Sequence, residues 1–261
     1  MKPLFSPNLN DPLKVRREHI YDIQSRFIPV QRLKVLQVNA RNNSNITFNV
    51  LKGKFKNELL SIVRGYVNKD FNKQETIRAS KQLFYDFYKK TYNLGLKSNG
   101  LGVSSSLNAF DYTFKSSPLI LKSEDDWIQS TSSTELIYWM NFLNLLENEE
   151  VSLNKIEKRI EMYAKTLESH LLAGRIAGSS KYSLIYWSHP NGDSSCNVCS
   201  FLAKNSPWVK EHMLITPKSG NCSCLFNCRC SLRIFKSTPD EYREVKVKNL
   251  SNHNVLKSLL K

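Results

Sequence analysis

Outside residues 196–230 this chain of 261 residues contains no cysteine. No apolar run approaches the roughly 18 residues that a membrane-spanning helix needs, so no membrane partner is expected. Glycine and proline are sparse, nine of each, which excludes collagen-like and low-complexity chains and favours long regular elements. The first ten residues lack the apolar core of a secretory signal, so an oxidising compartment is not expected. Acidic residues are few: 23 against 38 Lys and Arg, for a net charge of +15. That balance points to polyanionic partners such as nucleic acid or acidic protein surfaces, although lysine richness alone can produce it.

Catalytic signatures are missing as well. The glycine-rich stretch Gly95–Gly102 lacks the G-K-[ST] ending of a phosphate loop and does not follow a clear strand. His189, Asp193 and Cys196 could be read as a nucleophile site, but a thiolate shared with a metal is a poor nucleophile. No His-x-Glu pair of a zinc deaminase accompanies the cysteines. His19, His170 and His253 stand alone on expected helices. The chain is therefore expected not to be an enzyme, since no nucleophile, base and oxyanion donor assemble from its motifs.

What is present is a concentration of thiols. All six cysteines fall between 196 and 230, as Cys196 and Cys199, Cys222 and Cys224, and Cys228 and Cys230. A C-x-x-C turn places two thiolates on one side of a tight loop, and a second pair some tens of residues later can complete a tetrahedron. The first choice of ligands is Cys196, Cys199, Cys228 and Cys230, holding a structural Zn²⁺. Cys222 and Cys224 are a reserve pair, able to replace the last two or to bind a second ion. Disulfides and free thiols remain the alternatives, and His189 or His212 could substitute as ligands. The flanks suit a hairpin-borne knuckle: Ser183–Trp187 is apolar and aromatic, Ser231–Phe235 alternates, and turn residues lie between them.

These residues carry a resemblance. An aromatic strand, Asp193, Cys196-x-x-Cys199, a proline-bearing loop and Asn227-Cys228-Arg229-Cys230 resemble the C-terminal domain of Mu-type minor head proteins of tailed bacteriophages, also called phage head morphogenesis proteins. The helix through Leu171–Gly178 looks like the one leading into that domain. The likeness spans about 171–235. Leu225-Phe226 stands where the family usually has His-Pro, and Cys222-x-Cys224 is extra. The resemblance implies a structural virion component near the portal, with portal and capsid proteins as partners. It also implies non-specific contact with packaged DNA, and residence in the virion after assembly in the host cytoplasm. The other reading is a zinc-stabilised nucleic-acid-binding protein, but Phe201–Lys210 carries only Lys204 and Lys210 where a basic recognition helix is wanted.

Periodicity supplies the rest of the architecture. Asp11-Pro12 opens a basic amphipathic helix with Leu13, Ile20, Ile23 and Phe27 at helical spacing; Pro29 kinks or ends it, and 31–39 continues it. Ile46, Phe48 and Val50 alternate, suggesting a connector or short strand at 42–50. Helices are expected at 54–68 and 74–93, followed by a loop at 94–106. Ser132-x-x-Glu135 resembles a capping box opening a helix on which Leu136, Trp139, Met140, Leu143 and Leu146 follow as one apolar face. A longer helix over 154–179 carries the stripe Ile156, Ile160, Tyr163, Leu167, Leu171 and Ile176, and its Ala173–Gly178 segment is small enough for close approach of another element. The expected fold is mainly α with a small α+β C-terminal zinc-knuckle-like domain. It divides as 1–150 helical, 151–236 cysteine domain with lead-in helix, and 237–261 a basic tail with a short helix at 254–260.

Overall fold

A computed structural model describes residues 30–98, 121–148, 152–189, 196–219, 224 and 227–260, with the backbone alone for 30–44. The arm at 11–27 lies outside the described residues. Four long helices come first: α1 (Val30–Val67), α2 (Lys73–Lys97), α3 (Lys122–Asn148) and α4 (Leu153–Ala177). Strand β1 (Ser183–Ser188), helix α5 (Asn197–Lys204), strand β2 (Trp208–Val209), a 3₁₀ turn (Lys210–His212), strand β3 (Ser231–Lys236) and helix α6 (Pro239–Leu259) follow. The protein is mainly helical, with a small C-terminal antiparallel sheet beside a cysteine cluster, as the composition and patterning led us to expect.

The segment expected as a connector or strand at 42–50 is helix. Phe48, Leu51, Phe55, Leu59 and Val63 recur three and four residues apart and are buried, while Ile46 and Val50 are exposed. The 3.6-residue period, carried by residues further along, overrides a three-residue alternation. Helix α2 begins at an Asn72 capping box: Asn72 Oδ1 accepts from the Glu75 amide at 3.0 Å, and Glu75 Oε2 accepts from the Asn72 amide at 2.8 Å. The expected box at Ser132 is not a start. Ser132 and Glu135 sit inside α3, which opens ten residues earlier, where Glu124 Oε2 accepts from the Leu121 amide at 2.8 Å. Trp127, in the first turns of α3, tilts against Tyr92 and His170.

The helical layer closes on an aromatic core. Phe84 stacks on Tyr88 at 6.0 Å and meets Trp139 edge-on, and Trp139 Nε1 donates to Ser80 Oγ at 2.8 Å. The α4 stripe from Ile156 to Ile176 is buried along its whole length. Each such side chain contributes about 1.5–3 kcal/mol by leaving water. Tyr88 and Tyr92 are fully buried and so belong to this core.

Helix α2 does not stop at 93 but continues to Lys97, carrying Gly95 against Gly174 of α4. A Cβ on Gly95 would lie 2.2 Å from the Leu171 carbonyl oxygen, and one on Gly174 would lie 2.1 Å from that of Tyr92. The small segment of α4 thus seats another backbone directly, and Gly178 caps the helix one residue later.

The sheet runs β2-β1-β3, all antiparallel, with Ile185 opposite both Trp208 and Ile234. One face, with Ile185, Trp187, Leu232 and Ile234, joins the core that also holds the cysteines. On the other, Leu184 and Val209 are covered by Tyr242 and Val245 of α6. Residues 239–259 are therefore a packed helix and not a polar tail with one short turn. Its start is a Thr238–Glu241 capping box with Pro239 in the first turn. Asn249 ties it to the sheet edge: Asn249 Oδ1 accepts from the Val209 amide at 2.8 Å, and Nδ2 donates to the Pro207 carbonyl at 3.2 Å.

Candidate metal centre

Two local rules bring the first cysteine pair to one side of the chain. Cys196 is the N-cap of α5, its Sγ accepting from the Cys199 amide at 3.5 Å. Cys199 therefore occupies the first helical turn, three residues on, and both sulfurs gather at the helix N-terminus. The partial positive charge there favours thiolate over thiol. Cys228 and Cys230 arrive from the other direction, immediately ahead of β3, which antiparallel pairing with β1 holds in place.

The sulfurs meet over the inner face of the sheet. Cys199 and Cys228 are buried; Cys196, Cys224 and Cys230 are half-buried. Cys196 Sγ lies 3.3 Å from Cys224 Sγ, and Cys199 Sγ lies 3.5 Å from Cys224 and 3.7 Å from Cys228. Two groups of three have ligand atoms within 4.8 Å of one another: Cys196, Cys199 and Cys224; and Cys199, Cys228 and Cys230. No disulfide joins any two of these five. Tetrahedral thiolates at a metal–sulfur distance near 2.3 Å are about 3.8 Å apart. The observed spacings are close to that edge, so these cysteines could hold a metal ion.

The first-choice four divide between the two groups, Cys196 falling in one and Cys228 and Cys230 in the other with Cys199 common to both, and the reserve residue Cys224 stands as close as any of them. Cys222 and Asp193 lie outside the described residues. Neither group includes a histidine. His212 is buried against His253, ring centroids 5.1 Å apart, and His253 Nδ1 contacts the His212 carbonyl at 3.2 Å. Sequence reasoning underrated Cys224 because a C-x-C pair on an irregular loop has no periodicity to aim it. The signal that could have found it was its membership in a row of three thiol pairs.

Crowding leaves an electrostatic mark. At Cys230 a hydrogen bond with Cys199 favours the thiolate, but contact with Cys228 and burial outweigh it and push the thiol up to about 11. Neighbouring thiolates repel one another in a half-buried place unless a cation stands among them.

A firm floor positions the cluster. Val198, Leu202, Trp208, Met213, Leu214 and Ile215 pack beneath it, with Ile176 from the end of α4. Trp208 Nε1 donates to the Leu202 carbonyl at 2.8 Å. The segment leaving the 3₁₀ turn is anchored on α4, where the Ser169 and Thr216 hydroxyls are 2.6 Å apart and Lys218 pairs with Glu168. Of the two lysines in the stretch considered for nucleic-acid recognition, Lys210 is buried, and α5 is only two turns long.

Fold and site together define a mainly helical protein whose small three-stranded sheet carries a cysteine cluster able to bind metal. No helix among the described residues is long and apolar enough to cross a membrane. No family model, no curated protein and no solved structure matches the chain.

Proposed function

We propose that this chain is a structural component of a tailed-phage virion, a minor head protein near the portal that acts in head morphogenesis and is stabilised by zinc. One observation carries the reading. The cysteines of the Mu-type resemblance lie in neighbouring triads at the β1–α5 and β3 framework: Cys196 and Cys199 with Cys224, and Cys228 and Cys230 with the same Cys199. Zinc suits an all-thiolate tetrahedral donor set better than a hard cation does. Its role is structural, because thiolates are in surplus and the cluster is partly or wholly buried. The protein is not an enzyme. Portal and capsid proteins are its partners, and packaged DNA is contacted through charge without sequence preference.

The test is genetic and physical. The protein should co-purify with phage heads in small copy number and be lost from them when portal assembly is blocked. An infectious particle that lacks it overturns the reading, as does a turnover abolished by Cys196→Ala with the fold intact.

A second reading, a zinc-stabilised nucleic-acid-binding protein, is favoured by the net charge of +15. It requires binding that prefers one sequence and persists at high salt, because phosphate contacts alone weaken steeply as salt rises.

A further inference from the structure

The arrangement of the five thiols goes beyond a single tetrahedral ion. A preformed site for one zinc would bring four sulfurs to about 3.8 Å of one another. Here the sulfurs form two triads, and Cys199 belongs to both. In the first triad Cys224 sits 3.3 Å from Cys196 and 3.5 Å from Cys199. In the second Cys228 is 3.7 Å from Cys199. The shared residue is among the most constrained of the five. It is fully buried in the first turn of α5, with its amide committed to Cys196.

The geometry points to a two-metal centre in which the Cys199 thiolate bridges one divalent ion held with Cys196 and Cys224 and a second held with Cys228 and Cys230. This rests on reading the cluster as a metal site. Charge favours it: five thiolates around two divalent cations leave one net negative charge, while four thiolates around one cation, with the fifth cysteine protonated, leave two. Concentrated charge of that kind is costly away from water. Bridging is within the chemistry of a thiolate, whose sulfur carries more than one lone pair. Each cysteine gives up its proton to solvent on binding. One tetrahedral position on each ion stays available to a further ligand. The third cysteine pair, superfluous to a one-zinc knuckle, thereby acquires a role through Cys224.

The test uses the full chain, purified reduced and loaded with Zn²⁺ and, separately, with ¹¹³Cd²⁺. Elemental analysis should give two Zn²⁺ per chain. The cadmium spectrum should show two resonances split by coupling through the shared sulfur. Cys224→Ser and Cys230→Ser should each lower the stoichiometry from two to one, and Cys199→Ser should abolish the coupling. One ion per chain, or two uncoupled resonances, overturns the bridged centre while leaving a structural zinc in place. No bound metal overturns both. The wild-type stoichiometry and coupling decide the matter even where a variant does not fold.

Discussion

Gly174→Ala isolates how α2 and α4 are joined. The new Cβ would stand 2.1 Å from the Tyr92 carbonyl oxygen, 3.0 Å from its carbon and 3.1 Å from Gly95 Cα. All three are backbone atoms, so no side chain can swing away. Ordinary contact requires more than an ångström of extra separation, and α2 and α4 must move apart where Leu96, Leu171 and Ile176 are buried. Overpacking of this kind costs about 1–3 kcal/mol. The better helix propensity of alanine returns about 1 kcal/mol. Gly53→Ala in α1 supplies the internal control, since nothing lies within 4 Å of its Cβ position. It should stabilise by about 0.5–1 kcal/mol. Urea unfolding followed by circular dichroism at 222 nm should thus move the midpoint down for Gly174→Ala and up for Gly53→Ala. Gly95→Ala should resemble Gly174→Ala, and the double variant should fall short of additivity because both residues spend the same contact. Equal or greater stability of Gly174→Ala than of Gly53→Ala would refute the close-approach argument.

Buried groups make stability pH-dependent. Burial pushes the Glu135 carboxyl up to about 7, with Tyr88, Thr166 and Arg159 offsetting only part. Its folded value lies above its unfolded one, so its contribution is present below about pH 4.5 and lost as pH rises toward 7. Glu135→Gln should therefore gain on the wild type across that window, by on the order of 3 kcal/mol at most; a constant difference in urea midpoint from pH 4.5 to 8 argues against it. Burial also lowers His170 to about 4, so its contribution is lost as pH falls from about 6.5 toward 4, and Glu135→Gln should unmask that slope. Asn249→Ala leaves the buried Val209 amide without its acceptor and should cost about 1–3 kcal/mol, with hydrogen exchange rising first in α6 and β2. Affinity for duplex DNA should fall steeply with salt and be the same for unrelated sequences, as a filter-binding series between low and moderate salt would establish.

Strong periodicity made much of this fold legible. Five residues of the α4 stripe, Ile156 to Leu171, stay in phase over about four turns and are buried as expected, while Ile176 lies on the opposite face and is buried in the cysteine-bearing core. Ser183–Trp187 and Ser231–Phe235, read as the flanks of a hairpin-borne knuckle, are strands, and the structure adds that they pair with one another. Short signals did less well. Three alternating residues at 46–50 looked like a strand only because the helix around them was not weighed as a whole. Ser132 and Glu135 have the spacing of a capping box, yet a helix already under way uses Ser132 Oγ to bond the Gln129 carbonyl. The last helix was underestimated because it is polar and basic on most of its surface, although Thr238-Pro239-Asp240-Glu241 carries both a capping box and a first-turn proline. At the cysteines, spacing revealed that thiols would converge. Which triads they form depends on where Cys224 comes to lie, and a C-x-C pair outside any periodic element carries no signal for that.

A metal bound by the cysteines is proposed to hold β1, α5 and β3 together. Hydrogen exchange with and without a thiol-compatible chelator tests it most directly, with Cys196→Ser as the parallel variant. Structural zinc binding is folding free energy for its module. Stripping the metal should therefore abolish protection in 183–188, 197–204 and 231–236, while the aromatic core of α2, α3 and α4 stays protected. Full protection of those three segments in metal-free, reduced protein would contradict it.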